Sequence, residues 1–253
     1  MGLMTPEEAY AAFAIVMGIV TLGFAAVIAT IDASRRRRYL PFAVIPAVMA
    51  FAFWMTSQNM LVVQGAEGDT VPVARNFAYA AVYMPAVIYA GLAGGLSRRR
   101  TTTLAILIFL AISGITASWL VPAPFGALGI LLTLASLIVL AYLMLGPYAE
   151  LAAEQSGERT LLYGKLRNLV LLLWAMIIFS GLSAPQSLGL LDRPLALSMG
   201  LYIDLLATTF FGVIVIRARD AMDEVFEGGG PFEDDDSSSE LPGSPPGQTD
   251  PAD

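Results

Sequence analysis

The chain has 253 residues, 57% of them hydrophobic and 14% charged, with a mean hydropathy of +0.69 and a formal net charge of −7. Soluble domains carry about 25% charged residues. This composition therefore excludes a disordered chain, a nucleic-acid binder and an ordinary soluble enzyme, and points to an all-α protein with several membrane-spanning helices. Cysteine and histidine are both absent. That removes disulfides, thiolate chemistry, the commonest zinc ligand and the usual general base, so no metal site and no catalytic residue is expected.

The first span opens at Thr5-Pro6-Glu7-Glu8. The pattern predicts Thr5 as N-cap, Pro6 at the first helical position and Glu8 reaching back to the cap. No basic segment precedes it, so the span is expected to be retained. Uncharged stretches then mark the spans: Ala9 to Ile31 (23 residues), Tyr39 to Ala66 (28), Asn76 to Ser97 (22), Thr101 to Ala149 (49) and Asn168 to Leu191 (24). A helix needs about 20 apolar residues to cross a bilayer. The 49-residue stretch is cut by Val121-Pro122-Ala123-Pro124 into two helices, because each proline removes a helical donor and restricts the residue before it. Pro194 to Ile216, interrupted only by Asp204, is the seventh span.

The basic residues orient the bundle. Arg35 to Arg38, Arg98 to Arg100, Arg159, Lys165, Arg167, Arg217 and Arg219 all fall in alternate connections. The positive-inside rule makes that side cytoplasmic, with the N-terminus outside and the C-terminus inside. Residues 1–219 form the transmembrane domain, and 220–253 are expected to be an acidic disordered cytoplasmic tail. The tail holds 11 of the 21 acidic residues and no basic one, and from Glu227 it is rich in Gly, Pro, Ser and Asp. Only one basic residue of 14 is a lysine, Lys165, and the sequence pI is about 4.6, a balance that suits a chain adapted to high salt.

Polar groups are costly inside a bilayer, and each is a candidate site. Asp204 is the one acid deep in a span, and Arg75 opens the third span. Asp204 should face the bundle interior, either protonated and hydrogen-bonded or paired with Arg75. No second intramembrane acid exists to relay a proton, and no helix breaks recur at matching places in two halves, as they do in many transporters. Pro46 and Pro85 are candidate kinks, and Gly91, Gly94 and Gly95 would permit close packing of the third span. Trp174 lies seven residues into the sixth span, nearer mid-membrane than interface.

Spans six and seven resemble the microbial rhodopsins, the seven-helix retinal proteins of archaea and bacteria. Lys165-Leu166-Arg167-Asn168-Leu169-Val170, then Leu173-Trp174, is similar to the start of their sixth helix. Asp204-Leu205-Leu206-Ala207-Thr208, then Gly212 and Arg217-Ala218-Arg219, is similar to their seventh. The resemblance implies a seven-helix bundle, with Trp174 at the tryptophan that packs on retinal and Arg75 at the arginine opening the third helix. It also implies a lysine four residues after the seventh-helix aspartate, where it forms the retinal Schiff base. Thr208 stands there instead, and nothing from Asn76 to Ser97 is acidic, so the carboxylate that takes the Schiff-base proton in the pumps is missing too.

The expected protein is thus an opsin-related, lysine-less, multi-pass protein of the cell membrane. It is not an enzyme and has no covalent cofactor, and it serves a binding, scaffold or regulatory role. Trp174, Phe179, Asp204 and Thr208 are its vestigial pocket positions, and Arg75 and Asp204 its electrostatic pair. The alternative is a photoreceptor, channel or transporter that holds retinal or a carotenoid non-covalently. The partners expected are the lipid bilayer and either an apolar isoprenoid ligand or another membrane protein. Nucleic acid is excluded, and a homo-oligomer is compatible with the composition.

Overall fold

The computed structural model describes residues 4–66, 68, 70–184 and 188–227. The chain forms a seven-helix bundle. Its elements in order are α1 (Pro6–Ala29), α2 (Ala33–Tyr39), α3 (Pro41–Ser57), β1 (Val62–Gln64), β2 (Thr70–Pro72), α4 (Val73–Ala93), α5 (Arg98–Leu120), α6 (Phe125–Leu145), α7 (Pro147–Ala153), α8 (Gly157–Ser183), α9 (Arg193–Arg217) and α10 (Arg219–Glu227). Six helices are each long and apolar enough to cross a membrane, and α2 with α3, bent by 40°, supplies the seventh span. The bend falls at Leu40-Pro41, where proline lacks the N–H that would continue the ladder. The predicted capping box closes α1: the Glu8 N–H donates to Thr5 Oγ1 (3.2 Å) and the Thr5 N–H to Glu8 Oε2 (2.8 Å).

Lipid tails are as apolar as leucine, so burial alone does not hold such helices together, and close approach of small residues must contribute. One such approach joins α5 and α6, backbone to backbone. A Cβ at Gly114 would lie 2.6 Å from the Gly129 carbonyl oxygen, and one at Gly129 would lie 2.5 Å from that of Gly114. Beside them the Thr133 hydroxyl reaches the carbonyls of Ala111 (3.1 Å) and Gly129 (3.0 Å). The end of α4 is built around the three glycines singled out in the sequence. The Leu96 N–H bonds to the Gly91 carbonyl (2.9 Å) and the Gly95 N–H to that of Leu92 (3.1 Å), a Schellman closure that needs the positive φ of Gly95 (64°). Arg159 of α8 donates to the carbonyls of Leu92 (2.8 Å) and Ala93 (3.2 Å), placing a cation at the negative end of α4.

Three features differ from the sequence reading. The uncharged stretch to Ala66 is not all helix: α3 ends at Ser57, and Val62–Gln64 pairs antiparallel with Thr70–Pro72. Helix α8 begins at Gly157, well before Asn168, because charged residues end the bilayer-compatible stretch without ending the helix. The proposed boundary at 219/220 is also corrected. Residues 220–227 are not a disordered tail but belong to α10, which buries Ala221, Met222 and Val225. Asp223 of α10 pairs with Arg35 and Arg38 of α2, Arg38 lies over the Phe226 ring, and Ser156 meets Glu224. The helix forms because its apolar residues recur on one face while Asp223 meets basic α2. The rest of the expected disordered segment, 228–253, lies outside the described residues.

The glycine seam yields a direct check. Gly114→Ala and Gly129→Ala should each destabilise the bundle by about 1–3 kcal/mol through overpacking. Gly18→Ala and Gly23→Ala, where an added Cβ meets nothing within 4 Å, should leave thermal unfolding in detergent unchanged or slightly raised. Equal melting temperatures for all four variants would show that the seam is not tight.

Candidate functional site

The polar centre of the bundle joins α4 to α9. Asp204 is 1% exposed, and its Oδ2 accepts a hydrogen bond from Arg75 Nε at 2.7 Å; the Arg75 side chain is 13% exposed. Of the two arrangements left open by the sequence, the geometry is that of the pair. Three neighbours hold the guanidinium in place. Tyr79, one turn along α4, sets its ring centroid 5.5 Å from Arg75 Cζ, a cation–π contact strengthened by burial. Gly200, one turn before Asp204, leaves the space: a Cβ there would lie 2.8 Å from Arg75 Nη2. The carboxylate holds the third side.

Thr208 is 1% exposed and donates its hydroxyl to the Asp204 carbonyl oxygen at 2.8 Å. This is the back-bond that threonine commonly makes within a helix. Its hydroxyl proton is thus committed to α9 itself, one turn from the carboxylate.

Trp174 is 4% exposed and faces α4, where its ring lies 5.3 Å from that of Tyr83 at a 43° tilt; Tyr83 in turn meets Tyr79 edge-on at 6.0 Å. Phe179 does not join them. It is 58% exposed, so the placing of Phe179 beside Trp174 and Thr208 is corrected. At 3.6 residues per turn, five residues rotate a side chain about 140° around the helix, away from Trp174. Lys165, the chain's single lysine, is exposed on α8, nine residues or about 14 Å along the axis before Trp174.

Tyr83 and Gly200 were not recognised as site residues in the sequence. The signal for Tyr83 was its spacing: Arg75, Tyr79 and Tyr83 recur every four residues and so share one face of α4. Among the described residues no group of three or more acidic side chains is placed to hold a metal ion.

The Arg75–Asp204 pair generates a double-mutant test. Asp204→Asn or Arg75→Gln alone should cost about 3–5 kcal/mol, since each strands the partner's buried charge or hydrogen-bonding group. The double variant should cost clearly less than the sum of the two. Additive losses in detergent unfolding would mean that the two groups do not interact.

Residues 7–222 match the family model described as bacteriorhodopsin-like protein. Sensory rhodopsin-2 of Natronomonas pharaonis is 29% identical over 217 residues, covering 81% of this chain and 85% of the relative. Sensory rhodopsin-2 of Haloarcula vallismortis is 29% identical over 188 residues, covering 72% of this chain and 78% of the relative. The thermophilic rhodopsin from Rubrobacter xylanophilus has the same fold, with a TM-score of 0.78 at 19% identity, covering 88% of this chain and all of that one. With the family model spanning all seven helices, the chain belongs to the bacteriorhodopsin-like family of multi-pass membrane proteins.

Proposed function

We propose that this protein is an opsin-type membrane protein without covalent retinal photochemistry, acting in the cell membrane by binding or regulation rather than by pumping or enzymatic turnover. The observation that carries this reading is Thr208. Retinal attaches by condensation of its aldehyde with a primary amine, which releases water and leaves an imine. A hydroxyl cannot form that bond, and the Thr208 hydroxyl is already engaged with the Asp204 carbonyl. The one lysine lies on an exposed face of α8, away from the Arg75–Asp204 centre. Helix α4 contains no acidic residue, so the bundle lacks a carboxylate there to accept a proton. Asp204, with no Schiff-base cation to balance, is balanced by Arg75 instead.

A second reading is non-covalent binding of retinal or a carotenoid. The observation favouring it is Trp174, buried at the α4–α8 seam with its indole N–H lacking a hydrogen-bond partner. The two readings separate experimentally. Incubation with all-trans retinal followed by borohydride should leave no reduced adduct on the chain. A red-shifted pigment with a borohydride-stable mass addition would overturn the proposal. Colour that is lost to mild organic solvent without any mass addition would select the second reading.

The orientation belongs to the same proposal: N-terminus outside, α10 and the acidic segment after it in the cytoplasm. The basic clusters support it, since Arg35 and Arg38 meet α10 and Arg159 meets the end of α4, at one end of the bundle. Protease added to intact cells should spare the segment 228–253, and inverted vesicles should lose it. Cleavage in intact cells would reverse the orientation.

A further inference from the structure

Two bulky aromatic side chains meet where α4 packs on α8, and each buries a polar atom without a partner. Tyr83 is 1% exposed and Trp174 4%. Their ring centroids are 5.3 Å apart, yet neither the Tyr83 hydroxyl nor the Trp174 indole N–H has a hydrogen-bond partner. An unpaired buried donor is costly, and native structures hold few of them. A tyrosine placed here for stability would direct its hydroxyl to an acceptor, as Tyr163 does toward the Met144 carbonyl at 2.7 Å. Phenylalanine would fill the same space without the penalty.

We propose that Tyr83 is a plug: its ring occupies the slot against the Trp174 face and sets which ligands the bundle admits, excluding long planar conjugated molecules. The inference rests on the reading above that Trp174 marks the family's ligand wall, and it extends that reading from the bond that cannot form to the volume that is not open. The neighbours fit the role. Tyr79 meets the Tyr83 ring edge-on at 6.0 Å and lies over Arg75, so the plug is braced from the polar centre. One turn further along α4, Ala86 is buried at 3% and carries only a methyl group, so the ring that closes the slot on this face is that of Tyr83. Removing a large buried side chain leaves a cavity that surrounding structure only partly refills, and a cavity with apolar walls stays dry and takes up flat apolar molecules.

The test uses all-trans retinol, which has the polyene but no aldehyde, so imine chemistry cannot contribute. The full chain in detergent, with Trp54→Phe and Trp119→Phe leaving Trp174 as the sole tryptophan, is titrated with retinol while energy transfer from Trp174 is followed. The parent and Tyr83→Phe should show no saturable transfer. Tyr83→Ala should bind one retinol per chain at least tenfold more tightly. If Tyr83→Ala does not fold, Tyr83→Val makes the same comparison with a smaller opening. Equal retinol binding by the parent and the folded small-residue variant, whether strong or absent, overturns the plug. A borohydride-stable retinal adduct on the wild type overturns the proposed function instead, so the two failures are distinguishable.

Discussion

The ion pair between Arg75 and Asp204 is the constraint around which the interior is arranged. Two charges taken out of water lose several kcal/mol of hydration each, and only a well-directed partner restores it. In a bundle bounded by lipid no solvent can relax around a misplaced guanidinium. The space opened by Gly200, the Tyr79 ring and the register of α4 against α9 therefore all follow from seating that one group. The carboxylate of Asp204 is balanced by the guanidinium of Arg75, at 2.7 Å.

Elsewhere the helices are held by shape. The Gly114–Gly129 contact brings two backbones together, and Thr133 adds hydrogen bonds across the same seam. Much of α6 faces outward, with Leu128, Leu131, Ile138 and Tyr142 exposed as a lipid-facing surface requires. The contrast with a soluble core is physical: where the surroundings are as apolar as the interior, packing selects partners and hydrophobicity only selects location.

The end of the bundle that carries the basic clusters has a different logic. Arg159 closes the carbonyl end of α4, and α10 brings Asp223 to Arg35 and Arg38 while burying Ala221, Met222 and Val225. This end is thus joined by charge and by a short amphipathic helix rather than left as separate loops. It links α2, α8 and α10 around the end of α4, so a displacement of any one of them would be felt by the others.

The seven spans and the capping box at Thr5 were legible in the sequence, because hydropathy, proline placement and caps are local properties of the chain. So was the threonine at 208, four residues after Asp204, since it is read directly from the chain. The β-hairpin at Val62 and Thr70 and the early start of α8 were not, because an uncharged stretch reports what lipid tolerates and not where backbone hydrogen bonds begin and end. Asp204 was visible as a costly group, but the sequence left open whether it is protonated or paired, and only the meeting of α4 with α9 across 129 residues chose the pair. The placing of Phe179 failed for the complementary reason: nearness along a helix says nothing of facing, and about 140° of rotation put it in the lipid-facing surface. The contact of Tyr83 with Trp174 is likewise a product of tertiary structure, since which faces of two helices meet depends on the packing of the whole bundle.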